Sequence, residues 1–257
     1  MAGDEAHASA RRIHGRLTVT EQLYRVDAYL RETAAKVLAV NDRGGIVLDK
    51  TPFYASAGGQ PGDKGLIRFV GGECPIATTV YDTDKSTIVH VAAEGAVRPA
   101  AGDTVAAVLD WDTRFKHMRM HTALHLLSSL VRFPVTGGQI GAAEGRLDFD
   151  IEDASAIDKD KLTAELNGLV AANHPVSERW ISDAELAANP GLIRTMAVKP
   201  PMGSGKVRLV LIGDNGAIDL QPCGGTHVRH TSEIGGLAVS KIEKKGKLNR
   251  RVRVVFA

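Results

Sequence analysis

Short runs that alternate apolar and polar residues fill the first half of the chain and predict a β-rich region. Lys36–Val40 and Ile46–Asp49 indicate two strands joined through a hairpin loop at Asn41–Gly45. Similar runs follow at Leu66–Val70, Ala77–Tyr81, Ile88–Val91 and Thr104–Leu109. Strands this short and this closely spaced predict a small β-barrel.

Helical spacing of apolar residues first appears after this region. Phe115, Leu124 and Leu127 belong to a broad apolar surface that predicts a helix over Asp112–Val131, with Asp112 as its cap. Beyond this helix the pattern predicts a strand at Arg146–Asp150 and an amphipathic helix that begins after Asp158. A capping box at Ser182 predicts the start of a short helix.

A clear hairpin signal marks the last third of the chain. Val207–Ile212 and Ile218–Leu220 flank the turn residues Asp214–Gly216, so the two runs are expected to pair. Two further strands, at Gly236–Ile242 and Val252–Phe256, are expected to complete the same sheet.

The two patterns divide the chain near Asp110–Asp112. The fold class predicted is α+β, with a small N-terminal β-barrel-like domain at 20–110 followed by an α/β sandwich domain at 111–257. Residues 1–19 are polar and rich in alanine, and we expect a disordered tail there.

Composition indicates an intracellular protein. The formal net charge is +2, and the two cysteines are Cys74 and Cys223. So few cysteines argue against a disulfide framework and for a reducing compartment. No apolar run approaches the length of a membrane span, and the first residues lack the apolar centre of a secretory signal. We therefore expect a cytoplasmic protein without a membrane partner.

Two motifs supply four good ligands for a soft metal ion. H-T-A-L-H places His121 and His125 four residues apart, on one face of the predicted helix. C-G-G-T-H gives Cys223 and His227 the same spacing, in a stretch whose Pro222 and glycines favour a tight loop. One thiolate with three imidazoles suits Zn2+ rather than Mg2+ or Ca2+. The sequence predicts one zinc ion per chain, bound by all four side chains.

Three other chemistries fit these motifs less well than a zinc site. Cys223 and His227 could form a nucleophile pair, which would leave His121 and His125 without a role. Thr122 stands where the metalloprotease motif H-E-x-x-H has its glutamate. The zinc deaminase patterns H-x-E and P-C-x-x-C do not occur in the sequence.

A glycine-rich stretch, Thr51–Gly65, lies among the predicted strands. Gly58 and Gly59 can adopt backbone conformations closed to other residues and leave N–H groups bare, so both are candidate substrate-binding positions. Gln60 adds one donor and one acceptor. A G-G-Q alone is more often an ordinary turn, although translation release factors use this tripeptide to hydrolyse another ester at the end of a tRNA.

A basic cluster lies near the end of the sequence, and Glu243 is the only acidic residue within it. Its members are Lys241, Lys244, Lys245, Lys247, Arg250, Arg251 and Arg253. Such a cluster is a candidate for phosphate contacts. The alternative is a solvated strand whose lysines discourage pairing at the edge of a sheet.

Together these stretches resemble the AlaX family, free-standing proteins related to the editing domain of alanyl-tRNA synthetase. The resemblance rests on T-P-F-Y-A-S-A-G-G-Q-P-G-D, H-T-A-L-H-L-L, T-G-G-Q-I-G from Thr136 to Gly141, and C-G-G-T-H. It spans roughly residues 20 to 257 and is similar to the medium-length type.

The resemblance implies a trans-editing hydrolase that removes serine, and in some relatives glycine, from mischarged alanine tRNA. It implies that 111–257 is an editing domain of the threonyl/alanyl-tRNA synthetase type and that His121, His125, Cys223 and His227 bind zinc. Gln60, Thr136 and Gln139 would lie at the substrate. Because Ser56 stands where many relatives have Glu, Gln60 and a water molecule are the expected catalytic participants.

The partner implied is mischarged alanine tRNA, bound through Lys244, Lys245, Lys247, Arg250 and Arg251 by a monomer or weak dimer. One alternative is a hydrolase with threonyl-tRNA synthetase-like selectivity, although the glycine-rich half favours the alanine type. Another is a non-catalytic, zinc-stabilised tRNA-binding module, for which Ser56 is the hint. Synthetase activity is not expected, because the chain is short and shows no recognisable class II signature.

Overall fold

The computed structural model describes residues 20–151, 157–193, 205–246 and 248–257. The predicted tail at 1–19 and Lys247 lie outside these ranges, so their predictions are not addressed by the structure. The mixture of helices and strands confirms the α+β class. Within the ranges described, no helix combines the length and apolar character needed to cross a membrane.

A closed six-stranded β-barrel forms the first half, as the short alternating runs predicted. Two short strands, β1 (Glu21–Gln22) and β4 (Lys50–Thr51), pair in parallel in a sheet of their own. The barrel strands are β2 (Glu32–Val40), β3 (Ile46–Leu48), β5 (Gly65–Phe69), β6 (Gly72–Tyr81), β7 (Ile88–Ala92) and β8 (Thr104–Leu109). They hydrogen bond in the order β2-β3-β7-β6-β5-β8 and enclose an apolar core.

Helix α1 (Trp111–Leu130) follows the barrel directly. Its cap is Asp110 rather than Asp112, so that prediction was wrong by two residues. The Asp110 carboxylate accepts from the Thr113 N–H at 3.1 Å, because the last barrel strand ends at Leu109 and the helix begins at once. Asp112 lies in the first turn, where a negative charge still favours the helix dipole.

Two separate sheets follow α1. One contains β9 (Val135–Ile140), β10 (Glu144–Asp150), β14 (Leu237–Lys244) and β15 (Asn249–Phe256), in the order β14-β15-β10-β9. The other contains β11 (Val176–Ser182), β12 (Lys206–Ile212) and β13 (Asp219–Pro222), in the order β11-β12-β13.

The prediction that the last two strands complete the hairpin sheet was wrong. Strand β15 pairs with β10, and the hairpin of β12 and β13 pairs instead with β11. The sequence did not indicate β11 because most of its side chains are exposed, so it lacks the alternation of a half-buried strand. Strand β9, which the alternation of the sequence did not indicate, forms the edge beside β10.

Helices pack on the four-stranded sheet to make the second core. Helix α2 (Lys159–Ala171) contributes Leu162 and Leu166, which cluster with Leu124 of α1 and Val252 of β15. The capping box predicted at Ser182 is present and begins α3 (Asp183–Ala188). Short 3-10 helices lie at Leu23–Arg25, Pro190–Leu192, Asp214–Gly216 and Thr231–Ile234.

A buried ion pair joins the barrel to α1. Arg114 is 0% exposed, and its guanidinium contacts the carboxylate of Asp63, with Nε at 2.9 and 3.0 Å from the two oxygens. The remaining donors reach the carbonyl oxygens of Ala28 at 3.0 Å and Pro52 at 2.7 Å. One side chain therefore holds three segments of the first half against the second.

Breaking this pair from one side should be costly. Asp63→Asn leaves the buried guanidinium without its counter-charge, and we expect the free energy of unfolding to fall by about 3–5 kcal/mol. Urea denaturation followed by circular dichroism measures the change. Asp27→Asn is the control, because its pair with Arg229 is exposed and is expected to contribute about 1 kcal/mol or less. Equal effects of the two substitutions would contradict the assignment.

His90 is a neutral histidine enclosed in the barrel. Its Nδ1–H donates to the Ile46 carbonyl at 3.0 Å, and its Nε2 accepts from the Thr51 hydroxyl at 2.8 Å. Burial lowers the pKa of His90 from 6.5 to about 4, because the charged ring would lose its hydration. The folded barrel therefore excludes a proton that the unfolded chain accepts.

This difference in pKa makes stability depend on pH. The contribution of neutral His90 is complete above pH 6.5 and is lost as the pH falls towards 4, by up to about 1.4 kcal/mol per pH unit. Denaturation midpoints across this window measure the slope. His90→Gln should lower stability at neutral pH and flatten the slope; an unchanged slope would show that His90 is not its source.

Candidate metal centre

Helix α1 and the loop after β13 bring the four predicted ligands to one point. The ligand atoms of His121, His125, Cys223 and His227 all lie within 4.8 Å of one another. Cys223 Sγ stands 3.5 Å from His121 Nε2 and 3.3 Å from His227 Nε2. A tetrahedral zinc ion with ordinary bond lengths separates sulfur and nitrogen by about 3.5 Å. The donor set and its spacing therefore fit zinc.

The C-G-G-T-H loop has no room for a larger residue at its second glycine. A Cβ on Gly225 would lie 2.2 Å from His121 Cε1 and 2.7 Å from Gln60 Oε1. A Cβ on Gly224 would meet nothing within 4 Å. The close approach of the Gly225 backbone is thus what allows the loop to lie against the imidazole of His121.

Gln60 of the barrel holds the first ligand. Its Oε1 accepts from His121 Nδ1 at 2.9 Å and from the Thr226 N–H at 3.1 Å, while its Nε2 donates to Thr226 Oγ1 at 2.9 Å. The Thr226 N–H fixes Oε1 as the acceptor, so Nδ1 of His121 carries the hydrogen and Nε2 presents its lone pair. Gln60 is 1% exposed, a placement that suits positioning of His121.

Two further side chains hold the other imidazoles. Asp219 Oδ2 accepts from His125 Nδ1 at 2.7 Å. Thr122 donates its hydroxyl hydrogen to the Met118 carbonyl at 2.9 Å and therefore accepts from His227 Nδ1 at 3.2 Å. All three rings thus turn Nε2 towards the centre, and such partners are characteristic of metal-binding histidines.

The sequence interpretation missed these partners. Thr122 and Thr226 lie inside the two motifs, where the residues between the ligands were not assigned a role. Asp219 and Gln221 precede Cys223 at alternate positions of β13, and both are buried. Polar residues at strand period leading into a ligand were a signal that could have identified them.

The charges of the four clustered side chains also favour a cation. Burial opposes ionisation of the Cys223 thiol, yet His121 and His227 bring its pKa well below the ordinary value. Burial likewise disfavours charge on His125, but hydrogen bonds to Asp219 and Cys223 raise its pKa to about 10. Burial and repulsion from His121 hold the pKa of His227 well below its usual range. A bound metal ion would replace the proton held between thiolate and imidazole.

The glycine loop of the barrel meets the edge strand β9. Gly58 and Gly59 have φ of 57° and 83°, in the left-handed region, and form the exposed tip of a turn closed by Ala57 and Gln60. The Gly59 carbonyl accepts from the Ile140 N–H at 2.8 Å, and a Cβ on Gly59 would lie 2.9 Å from Gly138 O. The two predicted substrate-binding stretches are therefore in contact.

The side chains predicted on β9 differ in their surroundings. Thr136 Oγ1 donates to the Asp148 carbonyl at 3.1 Å and accepts from Asn249 Nδ2 at 3.0 Å, so it is engaged within the sheet. Gln139 is exposed, and its Oε1 accepts from Arg146 Nε at 3.3 Å. Gln139 is the more accessible of the two.

The basic cluster is largely neutralised by carboxylates. Arg251 contacts both oxygens of Asp148 at 2.7 and 2.8 Å, and Arg250 is 5% exposed. Lys244 and Lys245 are exposed at the end of the edge strand β14, and Lys245 lies 3.7 Å from Glu243. Of the described candidates for phosphate contact, the structure presents these two lysines and buries or pairs the two arginines.

Family models match both halves of the chain. The model described as the threonyl and alanyl tRNA synthetase second additional domain matches residues 207–253, which include Cys223 and His227. The model for class II (A) tRNA synthetases matches residues 14–113, a resemblance that was not recognised in the sequence. The described part of that match, residues 20–113, contains the barrel and the first residues of α1.

Several known proteins resemble the chain over most of its length. It is 38% identical to the alanyl-tRNA editing protein AlaX-M of Methanosarcina acetivorans, covering 91% of this chain and 98% of that protein. The AlaX-M protein of Saccharolobus solfataricus is 30% identical over the same shares of each chain. The alanine–tRNA ligase of Pyrobaculum aerophilum is 37% identical over 88% of this chain but only 25% of its own length.

The barrel, the matched second domain and the His/Cys cluster define an editing protein of the alanyl-tRNA class. The similarity to the AlaX-M proteins covers nearly the whole length of this chain and of each relative, which narrows the class further. The chain belongs to the AlaX-M family of alanyl-tRNA editing proteins, as the sequence motifs indicated.

The two glycines of the ligand loop offer a matched test of the centre. Gly225→Ala places a methyl group against His121 and Gln60, and we expect zinc affinity to fall by about 10–100-fold. Gly224→Ala meets nothing and should bind zinc like the parent protein. Competition with a chromophoric chelator measures both affinities. Parental affinity in Gly225→Ala would contradict the position assigned to the loop.

Proposed function

We propose that this chain is a zinc-dependent deacylase that acts in trans on Ser-tRNA(Ala), and on Gly-tRNA(Ala) as a second substrate. The observation that carries the proposal is the cluster of four ligand atoms within 4.8 Å, with each imidazole held on Nδ1. The printed names of the AlaX-M relatives support alanine tRNA as the partner. We take 20–110 and 111–257 as the two domains that form the site together.

The chemistry requires little beyond positioning. The substrate is an ester between an amino acid and the terminal ribose, which is more labile than an amide. Zinc would supply polarisation of the ester carbonyl, activation of water, or orientation of the amino group. His121, His125, Cys223 and His227 would hold the ion. Gln60, the predicted catalytic residue, would act through His121, since both of its polar atoms are engaged with His121 and Thr226.

Selectivity for serine would come from a polar group that pairs with its hydroxyl. Alanine would leave that group unpaired, which is the strongest form of discrimination open to a binding site. Gln139 is better supported than Thr136 for this role, because it is exposed and lies beside the glycine loop. The exposed N–H groups at Gly58 and Gly59 would contact the substrate from the barrel side.

Binding of the tRNA would draw on Lys244 and Lys245, with Lys247 as the further predicted member of the cluster. Both described lysines are exposed on the edge of the sheet, as phosphate contact requires. Arg251 would act by keeping Asp148 paired rather than by touching a phosphate. We expect the chain to act in the cytoplasm as a monomer or weak dimer.

Release of labelled amino acid from Ser-tRNA(Ala), Ala-tRNA(Ala) and Ser-tRNA(Thr) tests the proposal. We expect Ser-tRNA(Ala) to be deacylated at least about 100-fold faster than Ala-tRNA(Ala), since alanine lacks the hydroxyl. Chelation should abolish the activity, and added zinc should restore it.

The two free cysteines provide the matched variants for the same assay. Cys223→Ala should lose activity, whereas Cys74→Ala, buried in the barrel, should retain it. Faster loss from Ser-tRNA(Thr) would favour threonyl-type selectivity. If the protein binds tRNA but releases no amino acid from any of the three substrates, the hydrolase proposal is overturned and the tRNA-binding module remains.

A further inference from the structure

Arg208 is a buried arginine whose charge the proposed reaction does not use. It lies on β12 and is 7% exposed. It lines a cavity of 190 Å³ together with His227 and Glu178, so it stands directly behind the ligand loop. A buried cation beside a metal site is unfavourable unless its charge is balanced and its donors are occupied; here Glu178 contacts Nε, and Nη1 donates to the loop.

The side chain and the backbone of Arg208 both hold Cys223. The Cys223 N–H donates to the Arg208 carbonyl at 3.1 Å, which extends the ladder of β12 and β13 by one residue. The Cys223 carbonyl accepts from Arg208 Nη1 at 3.0 Å. Both peptide groups of the ligand residue are thus bound to one partner, which fixes the direction in which Sγ projects.

The same guanidinium also holds the next turn of the loop. Arg208 Nη1 donates to the Gly225 carbonyl at 2.9 Å, and the Gly225 N–H in turn points at Cys223 Sγ at 3.4 Å. Glu178 of β11 contacts Nε on the far side, balances the charge and sets the plane of the guanidinium. The arrangement bends the loop around one rigid, planar donor.

We propose that Arg208, oriented by Glu178, is a positioning residue for the metal centre that sets where the Cys223 thiolate meets the ion. The three imidazoles are each held by a hydrogen bond at Nδ1, which leaves Nε2 for the metal ion. A cysteine has only Sγ, so its side chain offers no second polar atom by which it can be held. Arg208 supplies that function through the backbone on either side of the sulfur. The inference concerns metal binding and does not depend on the proposed substrate.

Zinc affinity of the purified full chain tests the inference. Arg208→Met removes both carbonyl contacts, and Arg208→Lys keeps the charge but loses the planar fork. We expect affinity to fall by about 10–100-fold in Arg208→Met and by a smaller factor in Arg208→Lys. Glu178→Gln should lower affinity in the same direction, since Nε loses its charged partner. Arg68→Met is the control, because its pair with Glu73 is exposed on the barrel.

A spectroscopic measurement separates positioning from general stability. With cobalt in place of zinc, we expect the thiolate-to-cobalt charge-transfer band to shift or weaken in the Arg208 variants and to stay unchanged in Arg68→Met. A merely structural role would lower the melting temperatures of the metal-free and metal-loaded proteins together, without changing affinity.

Zinc affinity within about twofold of the parent in Arg208→Met and Arg208→Lys, with unchanged cobalt spectra, would overturn the inference. If Arg208→Met does not fold, Arg208→Lys and Glu178→Gln decide it by the same criteria. A parent protein that binds zinc but deacylates no tRNA would overturn the proposed function and leave the role of Arg208 intact.

Discussion

The buried guanidinium of Arg114 is the interaction on which the geometry of the site depends. Arg114 and His121 lie on one face of α1, seven residues and about 10 Å apart. Their partners from the barrel are Asp63 and Gln60, three residues apart, and three extended residues also cover about 10 Å. The segment from Gln60 to Asp63 is therefore fastened to the helix at both ends.

This double attachment explains why an ion pair lies where apolar residues would normally be. Desolvation offsets most of the attraction in a buried pair, so the net stability gained over an apolar contact is small. The Asp63 carboxylate also accepts from the Tyr54 N–H at 2.5 Å, so its position in the barrel domain is fixed. Its pair with Arg114 therefore imposes one register between that domain and the helix. A shift of the loop along α1 would leave a buried charge unpaired and would separate Gln60 from His121.

The sequence predicted what depends on local pattern and missed what depends on contacts between distant segments. Alternation revealed the barrel strands, and the spacing of His121, His125, Cys223 and His227 predicted the cluster of side chains that could hold a metal ion. Strand β11 was missed because its exposed side chains carry no period, and the pairing of β15 with β10 was missed because register between distant strands leaves no local trace. Arg208 was overlooked for the same reason, since its importance lies in partners elsewhere in the chain, whereas Asp219 did leave a local signal in the polar alternation before Cys223.

The four ligands are held in ways that suit the elements that carry them. His121 and His125 stand on a rigid helix, so a single hydrogen bond to each ring fixes its orientation. Cys223 and His227 stand on a loop, which needs the close approach at Gly225, the hydrogen bond that His227 donates to Thr122 and the carbonyl contacts of Arg208. Displacing any ligand would also break the contact behind it. A centre built this way therefore disfavours the exchange of any one member of the set.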